Sequence, residues 1–267
     1  EDSAMGQYRY PAGVPSVFTE HELRAADPGW SLEAARWRRY QRAVWRRFDR
    51  VQVFTERDAA GLRRLAPDLA GRVRVNPFGV TLGPAPDAAA EREDELVFVG
   101  GFRHPPNVDA ACWLAREILP LVRAHREGVH LSIVGADPPR TVRVLASDCV
   151  TVTGFVPDVA PFLDRAAVVV APLRTGSGMR VKLLQALARG KAVVTTRLGA
   201  EGLAADAPLL MADSSPEIAE AVSALLADAG ARRMLGQRAR EFVAEHHSWP
   251  GFAARLAVIY RELGLDA

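Results

Sequence analysis

Short runs of β-branched and aromatic residues alternate with helical stretches from about residue 15 to residue 211, and this alternation limits the fold more than any other feature. The runs read Ser16-Val17-Phe18-Thr19, Val51-Gln52-Val53-Phe54, Val73-Arg74-Val75, Leu96-Val97-Phe98-Val99, His130-Leu131-Ser132-Ile133-Val134, Val150-Thr151-Val152, Val168-Val169-Val170 and Ala192-Val193-Val194-Thr195. Strands separated by helical patterns of about ten or more residues predict βαβ units, hence an α/β fold whose parallel sheets are buried on both faces.

Between Val80 and Glu95 the pattern breaks into Gly83-Pro84-Ala85-Pro86, Asp87 and an Ala/Glu/Arg stretch, the composition of an inter-domain connection. A boundary is expected near residue 88, with about three strands before it and about six between residues 95 and 212. After Ala212 no further strand is expected. Ser215-Pro216-Glu217 reads as cap, first-turn proline and acidic residue of a helix, and three helices run to the end, the last from near Trp249-Pro250.

A chain of 267 residues with 49% apolar composition is long enough for one large or two modest cores. The net charge of +2 removes the main argument for a nucleic-acid binder. Cys112 and Cys149 stand alone, without C-x-x-C spacing, so neither a disulfide framework nor a structural zinc is indicated and a reducing cytoplasm fits best. No apolar run approaches the roughly 18 to 20 residues of a spanning helix. The start at Glu1, without a charged-then-apolar leader, predicts no signal peptide and a cut N-terminus.

Two constellations carry chemistry. Strand Leu96–Val99 runs into Gly100-Gly101-Phe102-Arg103-His104-Pro105-Pro106-Asn107, with a helix expected from Val108. Glycines let backbone approach a ligand, and a helix N-terminus offers free N–H groups and partial positive charge, so phosphate is the natural guest. Arg103 could add a bidentate contact, or be an exposed arginine on a tight turn. The stretch is not G-x-G-x-x-G, which disfavours a nicotinamide enzyme. The second constellation runs from Ala171-Pro172-Leu173-Arg174-Thr175-Gly176-Ser177-Gly178-Met179-Arg180-Val181-Lys182 into Leu183-Leu184-Gln185-Ala186-Leu187-Ala188-Arg189-Gly190. Dipole reasoning disfavours Arg180 and Lys182 in a first helical turn unless an anion is held between them and the amides; the bland alternative is two solvated surface residues.

This block, with Lys191-Ala192-Val193-Val194-Thr195-Thr196 and Gly199-Ala200-Glu201-Gly202-Leu203, resembles the donor-binding half of GT-B glycosyltransferases of the GT4 group (glycosyl transferases group 1). The resemblance extends over most of residues 72 to 204: Asn76-Pro77-Phe78-Gly79-Val80, Gly100-Gly101 with Pro106-Asn107, Ile133-Val134-Gly135, and Gly154-Phe155-Val156 with Asp158-Val159. It implies a GT-B fold of two Rossmann-like domains with parallel sheets, the first lacking its front part. Residues 1–87 would belong to the acceptor-side domain, 88–248 would form the donor domain, and helix 249–267, with Trp249, Phe252, Leu256, Ile259 and Tyr260 on its apolar face, would pack back on the first.

By resemblance the donor is a UDP- or GDP-linked sugar. Gly100, Gly101, Arg103, Asn107, Gly176, Gly178, Arg180 and Lys182 would face its diphosphate, the backbone at Val156 its base, Gln185 its ribose, and Glu201 in the G-x-E-G-L turn would complete the site. His21, in Thr19-Glu20-His21-Glu22 at a strand exit, resembles the histidine that faces the transferred sugar and acceptor, and is the expected catalytic residue. The implied reaction is a retaining, metal-independent transfer to a glycan or lipid-linked acceptor, as in polysaccharide biosynthesis, with no cofactor. There is no Asp-x-Asp, and Glu93-Asp94-Glu95 reads as linker surface before a strand. Family members often carry two glutamates where this chain has Ser177 and Gln185; that and the missing front keep a non-catalytic sugar-nucleotide-binding module, or an inactive fragment, as the alternative. Epimerases of the same architecture are disfavoured by the arginine-lysine loop.

Thr55-Glu56-Arg57-Asp58 reads as a helix cap. The helix expected over Leu32–Phe48 sets Arg36, Arg38, Arg39, Arg42, Arg46, Arg47 and Arg50 against Glu33 and Asp49, with an apolar stripe of Trp37, Tyr40, Val44, Trp45 and Phe48. Either the stripe packs on the sheet, or the segment 32–50 lies on an anionic membrane and brings the protein to lipid-linked acceptors at the inner membrane face.

Overall fold

A computed structural model describes residues 13–21, 23, 32–84, 87–176 and 178–265. They form two compact units. The first takes the described residues up to Gly79, Gly178 and Met179, and 247–265; the second takes 80–84, 87–176 and 180–246.

In the first unit, β1 (Val17–Glu20), β2 (Arg50–Val53) and β3 (Val73–Val75) form a parallel sheet in that order, with Val17 opposite Arg50 and Val51 opposite Val73. Helix α1 (Leu32–Trp45) follows β1 and α2 (Glu56–Leu65) follows β2. Thr55 caps α2 as its sequence implies, its hydroxyl accepting from the Asp58 amide at 3.0 Å. The expected helix 32–48 ends three residues early. Arg47 and Phe48 donate to carbonyls only three residues back, and this tightened exit turns Phe48 into the core. Val44, Trp45 and Phe48 are buried with Phe18, Val51 and Val53, whereas Trp37 and Tyr40 are half-buried and Leu32 is 87% exposed. Glu20, which a strand exit would ordinarily leave solvated, is buried and accepts from Trp45 Nε1 at 2.8 Å and Gln41 Nε2 at 3.1 Å, which offset its desolvation. Glu22, Ser177, Ala85, Pro86 and the Glu33 side chain lie outside the described residues.

The second unit carries β4 (Glu95–Val99), β5 (His130–Val134), β6 (Val150–Val152), β7 (Val168–Ala171), β8 (Ala192–Thr195) and β9 (Leu210–Met211), all parallel, in the order β6-β5-β4-β7-β8-β9 among the described residues. Its helices are α3 (Pro105–Trp113), continued through a π turn at Leu114–Ile118 into α4 (Leu119–His125), then α5 (Arg140–Arg143), α6 (Ala160–Arg165), α7 (Val181–Ala188), α8 (Arg197–Ala200), α9 (Ser215–Ala227) and α10 (Ala229–His246). Phe98, Ile133, Val170 and Val194 share one core with Leu114, Ile118 and Val222. Burial on both sheet faces is what the unbroken apolar runs require.

Three local expectations shift. Helix α3 opens at Pro105 rather than Val108, because prolines at its first two positions lose only amides that have no intrahelical acceptor. The cap of α9 is Ser214, not Ser215; Ser214 and Glu217 form a reciprocal capping box. Glu95 is the first residue of β4 rather than linker, accepting from Ser132 Oγ at 2.5 Å, while Asp94 pairs with Arg126. The last helix, α11 (Trp249–Arg261), belongs to the first unit. Asn76 donates to the Phe252 carbonyl at 3.2 Å and accepts from Arg255, while Glu262 holds Arg50 at 3.0 Å and Arg74 at 2.6 Å.

Candidate functional site

From β4 the chain winds outward through β5 and β6 on one side and then crosses back to β7 on the other, so the strand order reverses between β4 and β7. Open parallel sheets bind ligands just outside the carboxyl ends of strands at such a switch point, where the loops part to leave a crevice. Both glycine-rich stretches singled out in the sequence leave these two strands.

At the β4 exit the backbone keeps pairing with β5: Gly100 N donates to Val134 O at 2.9 Å and Phe102 N to Ala136 O at 3.0 Å. Gly135 has to be glycine, since a Cβ there would lie 1.9 Å from the Gly100 carbonyl oxygen. Gly100 itself faces Asn107, whereas Gly101 is exposed with nothing within 4 Å of where a Cβ would be. The two glycines therefore differ: one lets Asn107 in, and the other leaves backbone open to a ligand.

Asn107, in the first turn of α3, joins the two loops. It is buried, donates through Nδ2 to Gly101 O at 2.7 Å, and accepts at Oδ1 from the Lys182 ammonium. Lys182 sits at the second position of α7 with its ammonium 5.2 Å from the Phe98 ring centroid, within cation–π range. Arg180 is the N-cap residue of α7 rather than part of its first turn; it is buried and donates to Gly176 O at 2.9 Å. Gly176, at φ 102°, lies against Pro106, where a Cβ would come 3.0 Å from the ring. Burial first and the neighbouring Arg180 second push Lys182 down to about 8. Two cations at the opening of a helix thus repel each other and share its dipole's positive end, an arrangement that an anion relieves.

The remaining residues divide. Arg103 is 84% exposed and pairs with Asp137 at 2.7 Å instead of joining the Lys182–Asn107 cluster. Gln185 is exposed three residues along α7 from Lys182 and so on the same face. Val156 is half-buried beyond the β6 exit, behind Gly154 at φ 72° and beside Phe155, which is 76% exposed. Glu201 follows α8, whose cap Thr196 also donates to Leu173 O, so the G-x-E-G-L turn is anchored to the β7 exit. His21 and Gly178 belong to the first unit. His21 is exposed one residue past β1, its ring edge-on to Phe54 at 4.9 Å.

Sequence reasoning missed Arg174 and Asp109. Arg174 Nη2 lies 2.6 Å and Nε 3.0 Å from the two carboxylate oxygens of Asp109, and the guanidinium stacks 4.5 Å over Trp113. The partners are 65 positions apart, and no local pattern announces such a contact.

The family described as "Glycosyl transferases group 1" matches residues 93–228. A GDP-mannose-dependent alpha-(1-6)-phosphatidylinositol monomannoside mannosyltransferase of Mycobacterium tuberculosis is 36% identical over 161 residues, 54% of this chain and 42% of that protein. The crystal structure of TarM superposes with a TM-score of 0.76 at 14% identity, covering 96% of this chain and 52% of that one. Anabaena Alr3699/HepE in complex with UDP and glucose gives 0.70 at 14% identity, covering 94% of this chain and 71% of that one. The chain thus spans less than half the length of the mannosyltransferase and about half that of TarM. The fold is α/β of the GT-B type, and with half of its residues matched, across the very strands and loops that build the crevice, the chain belongs to the glycosyl transferases group 1 family.

Proposed function

We propose that the second unit binds a nucleoside-diphosphate sugar and that the protein transfers the sugar, with retention and without a metal, to a glycan or lipid-linked acceptor. The observation that carries the reading is the bridge from Gly101 through Asn107 to Lys182 across the β4–β7 switch point, beside buried Arg180. Breaking the bond between the sugar and the diphosphate leaves negative charge on the leaving group. Lys182 and Arg180, beside the exposed backbone of Gly101, supply preorganised positive charge there, which is the role a divalent cation would otherwise fill. The G-x-E-G-L turn with Glu201, the exposed amide of Gln185 and the backbone at Val156 are assigned to the donor's sugar-ribose side and base, and His21 to the reacting end. The mannosyltransferase relative is GDP-mannose-dependent and the HepE structure contains UDP, so both bases are to be tried. Nucleotide release from UDP- and GDP-sugars is the test: slow donor hydrolysis supports transferase, tight binding with no release marks a binding module, and no binding of either nucleotide ends the reading.

The pH dependence of this binding has a definite sign. The free ammonium of Lys182 gives up its proton near pH 8, and a bound diphosphate favours the charged form, so affinity falls as pH rises through about 8. Calorimetry at about pH 8.5 in two buffers of different ionisation enthalpy is expected to show proton uptake on binding UDP or GDP. Uptake that persists in Lys182→Met would assign the proton elsewhere.

We place the protein in the cytoplasm, at the inner membrane face, touching anionic lipid through the α1 segment. No helix among the described residues is long and apolar enough to cross a membrane. Arg36 and Arg39 are exposed beside Leu32, with half-buried Trp37 and Tyr40 next to them, so basic and apolar contacts are available together. Arg36→Glu combined with Arg39→Glu is expected to weaken binding to phosphatidylglycerol vesicles by about thirtyfold or more at low salt, at about 1 kcal/mol per arginine lost, and to leave phosphatidylcholine vesicles unaffected. Equal binding of both proteins to both vesicles would show that the stripe serves only the core.

A further inference from the structure

The β7–α7 loop meets the first turns of α3 at three places. Gly176 lies against Pro106, Lys182 bonds to Asn107, and Arg174 forks onto Asp109. The third contact has no evident reason in stability, because both its side chains are more than a third exposed, and an exposed pair contributes little to folding. Its geometry is nevertheless well defined. Both carboxylate oxygens are engaged, and the guanidinium lies on an indole that is itself immobilised. Trp113 is buried, and its N–H bonds to Ser215 Oγ at 2.7 Å and Glu117 at 3.2 Å, so the platform is tied to the first turn of α9.

We propose that Arg174 and Asp109 are a positioning pair: the fork on α3, seated on Trp113, holds the start of the glycine loop so that its amides, Arg180 and Lys182 stay aimed at the diphosphate. This rests on the donor-site reading above. Arg174 does not touch the nucleotide. It acts through the loop that Gly176 and Arg180 complete, and the loop's glycines would otherwise leave it with many conformations to lose on binding.

The test compares Arg174→Met, Arg174→Lys, Asp109→Asn and the Arg174→Met/Asp109→Asn double variant in the full chain, with UDP and GDP as probes and uridine and guanosine as controls. Expected is a loss of diphosphate affinity of about tenfold in every variant, the double no worse than the singles, with nucleoside binding and thermal stability unchanged. Lysine keeps the charge but not the fork, so it should fail as methionine does. Tighter binding in Asp109→Asn would mean that the freed arginine meets the phosphates itself, and overturns the proposal. So would losses that are equal for nucleoside and diphosphate, which mark a merely structural role, and so would wild-type affinity in all variants. A wild type that binds neither diphosphate overturns the donor-site reading and the pair with it, whereas a wild type that binds while the variants match it overturns the pair alone.

Discussion

Lys182→Met is expected to weaken binding of a nucleoside diphosphate at the proposed site by about 2 kcal/mol, roughly thirtyfold, the usual loss for one hydrogen bond to a charged group. The same substitution stabilises the ligand-free fold. In the folded chain burial and Arg180 hold the Lys182 pKa near 8 against 10.5 for the free side chain, so the charged form costs free energy at neutral pH. That cost is present below about pH 8 and fades as pH rises toward 10.5, where the unfolded chain also becomes neutral. The expected pair of results is therefore a higher urea midpoint at pH 7 and a weaker diphosphate complex in the same variant. A lower midpoint would show that the Asn107 and Phe98 contacts outweigh desolvation. Function held at the expense of stability is what an anion site built from two neighbouring cations should display.

The second large effect is on folding. Gly135→Ala is expected to destabilise the second unit by about 3 kcal/mol, the upper part of the range for overpacking, because the new methyl would overlap the Gly100 carbonyl oxygen, and main chain cannot swing aside as a side chain does. The neighbouring test is Gly101→Ala. With open space around its Cβ position, that change should alter stability by less than about 0.5 kcal/mol. Denaturation followed on both variants checks the contrast, and a Gly135→Ala protein as stable as wild type would mean that the β4 and β5 exits can part without loss. Because Gly100 precedes the amides of the proposed site, an intermediate outcome should also appear as weakened diphosphate binding.

How much of this was legible depends on the range of the interactions involved. Strands β5 and β8 follow their residue runs to the residue, since apolar runs buried on both faces leave a continuous signature. Strand β9 does not: its two residues, Leu210 and Met211, are partly exposed at the sheet edge and show neither alternation nor a run. The cap of α9 is Ser214 because it alone stands three residues before Glu217, the capping-box spacing that Ser215 lacks. Around the site, glycines and cations could be placed on the right loops, but their partners could not. Arg103 turns to Asp137 across 34 positions, and Asn107 reaches Lys182 across 75. Which cation faces the crevice is a tertiary choice. A buried amide between two loops decides it for Lys182, and an exposed aspartate decides it for Arg103.

Helix α11 lies with the strands of residues 17–75 although some 170 residues separate them in the chain, as the Asn76–Phe252 contact spanning 176 positions shows. On the ribosome the intervening 80–246 unit is complete in sequence before α11 is made, and domains fold as units while synthesis proceeds. Until α11 arrives, Arg50, Arg74 and Asn76 have no Glu262 carboxylate or Phe252 carbonyl to bond. The first unit is therefore the later to mature during translation, and a nascent chain stalled before Trp249 should already hold a folded second unit beside a protease-sensitive first.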